Sequence, residues 1–333
     1  MKRNAHSIKC QIYISLIILA LATFAFACSN SNKNLPGNSV KTIKEILKLY
    51  SKQTPFTDPD EFGYLYDDLP ESVDRICNLI KKQLIHPVEA RQMKDVLPEG
   101  RDIEDGDFPT ISAVLEELQN RDASGFTKNR QPEDRLVIAC YHHALLLASI
   151  LRDRGIPVRL RAGFARYFEK QANVRFGHVI CQVWDKEEEQ WISVDPDRNY
   201  TNVSSDQFEF PAEAWINFRN DELPEVTYTS SLTEGSQAIL HILLLDHAFA
   251  LADERNYWHT PAFLFTDKFS FENLEPGRIE TFDRISNLLN DPVPNLNELQ
   301  QLYFENDFLY PQERSMEIYY KKMTGKSLDN FDE

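Results

Sequence analysis

The stretch ACYHHALLLASILRDRGIPVR, residues 139–159, restricts the fold more than any other part of the chain. Leu146, Leu147, Ile150 and Leu151 recur at helical spacing, and the small Ala139 and Ala144 permit close packing. Gly155 stands where a helix ends in a left-handed residue, and Pro157 stops the helix from continuing. Val158, Leu160, Ala162 and Phe164 then alternate with Arg159, Arg161, Gly163 and Ala165, which is the period of a strand. Two more strands are predicted, HVICQVWD from His178 and QWISVDP from Gln190, joined by the acidic turn KEEE. A helix followed by antiparallel strands is an α+β layout.

The flanks read as mainly helical. Val40–Tyr50, Glu71–Leu84 and Ile111–Leu118 carry helical periodicity, and the apolar run Ala238–Leu251 predicts a buried helix. The organisation expected is a helical N-terminal region (39–130), a central core (131–210) and a helical C-terminal region (211–333). Ahead of these, Lys2, Arg3 and Lys9 precede an apolar run from Ile12 to Ala27, the layout of an export signal. Ala25 and Ala27 before Cys28 resemble a bacterial lipoprotein signal over residues 1–27, with Cys28 as the lipidated first residue and 28–38 as a polar tether. The run is shorter than the ~20 residues that span a membrane. The expected location is the bacterial cell envelope, lipid-anchored.

The formal charge is −16, and removal of the three signal cations makes the remainder more acidic still. Such a surface repels nucleic acid, so no nucleic-acid partner is expected. Glycine is scarce, at 11 residues, with no phosphate loop or dinucleotide pattern, so no cofactor is expected. The four tryptophans, Trp184, Trp191, Trp215 and Trp258, read as core.

Cysteine nucleophiles need an accessible thiolate, an imidazole to take the proton and a third group to orient that imidazole. Cys140 lies at or near a helix start, where unpaired N–H groups favour the anion and can hold an oxyanion. His178 opens one strand and Asp195 closes the next. With Glu187–Glu188 as a two-residue turn, Ile180 faces Asp195 and His178 is its diagonal neighbour, roughly 7–8 Å away. With Lys186–Glu187 as the turn, His178 faces Asp195 directly. Any even loop keeps both on one face. Asp197 shares that face and is a second candidate orienter.

Other residues receive plainer expectations. His142 and His143 are read as helix-face residues, one solvated and one packed; neighbours ~100° apart do not share a metal easily. Arg159, Arg161, Arg166 and Arg175 are read as a solvated strand face pairing with nearby acids, with an acidic substrate as the alternative. Cys77 and Cys181 sit in apolar patterns, as free buried thiols or as a bridge in an exported chain; Cys10 leaves with the signal.

The sequence over Leu136–Asp197 resembles the transglutaminase-like superfamily: a cysteine before LLLASILRDRGIPVRLRAGF, then GHVICQVWD, then QWISVDPD. Trp191 and the Gly155–Arg159 corner also match. The resemblance implies a papain-like core, a helix packed on an antiparallel sheet, with helical additions at both ends. It implies Cys140 as nucleophile, His178 as base and Asp195 as orienter. Ile138, Ala139 and Tyr141 replace the polar surroundings common around that cysteine. The activity implied is attack on an amide of a peptide, protein or cell-wall substrate through a thioester, resolved by water or an amine. The alternative is a scaffold lipoprotein that keeps the fold without the chemistry.

Overall fold

The computed structural model describes residues 42–309, apart from 94, 99, 100, 102, 103, 105–107, 127, 128, 169–172, 258 and 266–268. The expected signal, Cys28, the tether and Trp258 lie outside the described residues. The chain opens with α1 (Ile43–Tyr50), started by a capping box in which the Thr42 hydroxyl accepts from the Glu45 N–H and the Glu45 carboxylate accepts from the Thr42 N–H. Then come α2 (Val73–Gln83), β1 (Leu84–Ile85), α3 (Pro87–Ala90), α4 (Ile111–Arg121) and β2 (Leu136–Val137). The centre is α5 (Cys140–Asp153), β3 (Val158–Ala165), β4 (Val174–Asp185) and β5 (Gln190–Val194). It is followed by β6 (Phe208–Glu209), α6 (Pro211–Arg219), β7 (Thr227–Thr229), α7 (Gly235–Ala250), α8 (Pro276–Leu289) and α9 (Pro292–Glu305).

Every helix expected from periodicity is present, with ends displaced by a few residues. Gly155 adopts φ +70°, the left-handed turn that releases α5 into β3. The short strands β1, β2, β6 and β7 were not anticipated, because two or three residues carry no readable period.

The sheet runs β5-β4-β3-β6, with β7 added parallel to β4. β4 is 12 residues long and is the spine. One edge pairs with β3 from Phe176 to Val183. The other edge is divided: β5 takes Cys181–Asp185 and β7 takes Val174–Phe176. Between them, 177–180 has no strand partner on that edge among the described residues, and His178 lies in this interval. A separate parallel ladder joins β1 to β2, Leu84 opposite Leu136 and Ile85 opposite Val137.

β3 is buried on both faces. α5 packs on β3 and β4 and also meets α2 and α4, while α7 packs on β3 and β7. This overturns the solvated face expected for the arginines, three of which are buried. Arg161 makes a two-pronged bond to Asp246 of α7, 2.8 Å on each side. Arg159 lies 4.4 Å over the Trp191 ring and donates to Gln182 at 2.9 Å. Arg175 pairs with Glu209 and Tyr228. The pairing with acids holds; the solvent does not, because the apolar run 238–251 needs a face to cover and takes this one. These three cations are therefore withdrawn from any substrate.

One apolar cluster takes residues from Leu65 in the N-terminal region, through α5 and the sheet, to Leu309. Cys77 and Cys181 are buried within it as free thiols. They are not bridged; the Cys181 thiol donates instead to the Ala144 carbonyl at 3.2 Å. No described helix is long and apolar enough to cross a membrane.

Candidate active site

Cys140 is the first residue of α5, and no side chain caps that helix. It is nearly closed over, 8 % exposed. Burial works to raise its thiol, but the neighbouring imidazoles, His178 above all and then His86, outweigh it and bring the thiol down to about 7.

His178 is buried in the unpaired interval of β4. Its Nε2 donates to Asp195 Oδ2 at 2.8 Å. Burial lowers its affinity for a proton, while Asp195 and Cys140 raise it, and the imidazole ends well above its ordinary value. A depressed thiol beside an elevated imidazole is the pattern in which each charge favours the other.

Asp195 arrives by the first of the two expected registers. The ladder pairs Cys181 with Val194 and ends at Asp185 opposite Gln190, so residues 186–189 form an even, four-residue connection. Continued one step, it sets Ile180 against Asp195 and leaves His178 diagonal to it. Asp195 then turns sharply. Its Oδ1 accepts from the backbone N–H groups of Asp197 at 3.0 Å and Arg198 at 3.1 Å. Oδ2 is left for His178 and for the Tyr167 hydroxyl, which donates to it at 2.5 Å. Burial, then Asp195, pushes the Tyr167 phenol far above its usual range. Tyr167 and Phe168 stand edge-on to the His178 ring, centroids 6.1 and 5.5 Å away.

The same turn carries Asp197 away from His178. Its buried carboxylate instead lies 3.2 Å from Lys81 Nζ, 3.7 Å from His143 Nε2 and 3.9 Å from His86 Nε2. Burial would raise it, but His143, His86 and Lys81 hold it well below the usual carboxylate range. Neither His142 nor His143 is solvated: both are fully buried, because α4 and the segment around Phe108 cover the helix start. His142 Nε2 bonds the Phe108 carbonyl at 2.8 Å and His143 Nδ1 the Ala139 carbonyl at 3.0 Å. Burial pushes His143 down to about 4, so it is neutral at physiological pH. Among the described residues no group of three His, Cys, Asp or Glu is placed to hold a metal ion.

Sequence reading missed His86 and Tyr167. His86 follows β1 without any motif, and only the β1–β2 ladder brings it beside Cys140, the Ile138 N–H donating to the Ile85 carbonyl at 3.0 Å. Tyr167 sits in a helical turn after β3, in sequence no different from any surface aromatic.

A helix opening on cysteine, packed on an antiparallel sheet whose strands bring histidine and aspartate to it, defines an α+β cysteine–histidine–aspartate core. Residues 118–196 match the transglutaminase-like superfamily, and that stretch contains Cys140, His178 and Asp195. The helices on either side lie outside the matched stretch. No curated protein and no solved structure matches the chain.

Proposed function

We propose that the chain is a cysteine enzyme acting on amide bonds, with Cys140 as nucleophile, His178 as general base and acid, and Asp195 as orienter. What supports this reading is the His178 Nε2–Asp195 Oδ2 hydrogen bond at 2.8 Å, beside a thiol that His178 brings down to about 7. The thiolate attacks the amide carbonyl carbon and a C–S bond forms. As the C–N bond breaks, the imidazolium gives its proton to the departing amine. Water or a second amine, deprotonated by His178, then attacks the thioester, and the sulfur leaves as thiolate. Asp195 keeps the proton on Nε2, so the opposite ring nitrogen is the one that works. The amide belongs to a peptide, protein or cell-wall substrate at the cell envelope, reached through lipid on Cys28.

The burial of Cys140 favours a second reading, a binding scaffold on the same fold. Iodoacetamide labelling, with the adduct located by mass spectrometry, separates the two. The enzyme predicts a labelling midpoint near pH 7, against ~8.5 for an ordinary thiol. The sign follows from the pair. His178→Ala removes the positive charge, the thiol rises, and less thiolate is present at about pH 6, so labelling there slows roughly tenfold or more. Cys77, pushed up to about 12, stays unlabelled. An ordinary midpoint for Cys140 with no His178 effect leaves the scaffold standing.

A further inference from the structure

Two imidazoles act on the Cys140 thiol and bring it down, and the bonds they make elsewhere hold them in opposite tautomers. In His178, Nε2 donates to the Asp195 carboxylate, so the proton is fixed there and Nδ1 is the nitrogen left as acceptor. In His86, Nδ1 accepts the Val88 N–H at 3.2 Å, the cap of α3. That lone pair is occupied, so the neutral ring carries its proton on Nε2. His86 Nε2 lies 3.9 Å from Asp197 Oδ2, and Lys81 Nζ holds the other oxygen of that carboxylate at 3.2 Å. One imidazole can take a proton from sulfur. The other can only offer one in a hydrogen bond.

The placement is equally specific. β1 and β2 run parallel, and both lead directly to the site: β1 ends one residue before His86, and β2 three residues before Cys140. The side chain of His86 is 22 % exposed, against 3 % for His178. His86 is therefore the more accessible of the two imidazoles.

We infer that His86 is a second catalytic histidine, a hydrogen-bond donor through Nε2–H to the Cys140 thiolate and then to the oxyanion of the tetrahedral intermediate, and not a second base. The inference rests on the cysteine chemistry proposed above. On this reading the N–H serves the thiolate in the resting site. As the C–S bond forms, the negative charge moves from sulfur to the former carbonyl oxygen, and the donor follows it. The backbone N–H groups at the start of α5 supply the rest of the cradle. When the C=O bond re-forms and the amine leaves with the proton from His178, the donor returns to its first partner. No bond to His86 is made or broken, and its proton count does not change.

The test compares two reagents on the full chain, because only one passes through an oxyanion. Alkylation by iodoacetamide displaces iodide at carbon and forms none. Acylation by p-nitrophenyl acetate must form one. His86→Leu removes the donor, and His86→Gln replaces it with an amide N–H that cannot act as a base at neutral pH. In His86→Leu, acylation of Cys140 is expected to fall about 10²- to 10³-fold. Alkylation at about pH 10, where the thiol is fully ionised, is expected to match wild type, which also reports an intact site. The glutamine variant should recover most of the lost acylation. Acylation as fast in His86→Leu as in wild type overturns the inference, and so does a glutamine variant as slow as the leucine one, which would make His86 a base. Wild type that alkylates with an ordinary thiol profile overturns the enzyme reading itself, and this inference falls with it.

Discussion

Asp195 divides its two oxygens by task. Oδ1 closes a backbone turn, and Oδ2 serves the imidazole and Tyr167. An asparagine at 195 keeps the turn through its carbonyl oxygen but presents an N–H to Nε2. That ring nitrogen must then accept, the proton moves to the nitrogen facing sulfur, and the base is lost. Asp195→Asn should therefore slow Cys140 labelling at about pH 6 roughly tenfold, with little change in melting temperature. The effect runs through His178, so the double variant with His178→Ala should be no slower than His178→Ala alone. Additive losses, measured by the same labelling, would show that Asp195 acts by another route. Cys140 and Asp195 were legible because each sits at the boundary of a periodic element; His178 was read as opening its strand, but β4 begins four residues earlier, at Val174. Their neighbours were not: Tyr167, His86 and the displacement of Asp197 depend on turns whose direction no alternation encodes.

At the scale of elements, β3 shows where sequence reading stopped. Alternation gave the strand, and alternation of arginine suggested water on one face. What covers a strand is decided elsewhere in the chain, here by Asp246 on α7, 85 residues from Arg161. Both partners are buried, and the carboxylate also accepts the Ala162 N–H at 2.9 Å. Asp246→Ala strands a guanidinium in the core, and a cost of about 3–5 kcal/mol is expected. Replacing both partners with leucine should cost clearly less than that single change, because no charge is left unpaired. Denaturant unfolding measures both; a double variant as unstable as Asp246→Ala would mean that the network matters for its shape and not for its charge. The helices of the flanks were likewise legible by period, and their destinations were not.

For the whole molecule, the acidic chain and its amino-terminal pattern bear on where the site works. Cys28→Ala should move the protein from the membrane fraction to the soluble fraction, or leave it with an uncleaved signal, and mass spectrometry of wild type should find a diacylglycerol thioether on Cys28. A variant processed and fractionated like wild type removes the envelope from the reading. The interior adds a constraint of another kind. Residues 118–196 carry the family likeness, yet α5 inside that stretch is closed by α2 and α4 from before it, and the sheet by α7 from after it. Cut out at its own boundaries, the stretch would be an open-sided fragment. The matched stretch and its flanking helices therefore share one interior, and a change on the buried side of either must be answered by the other.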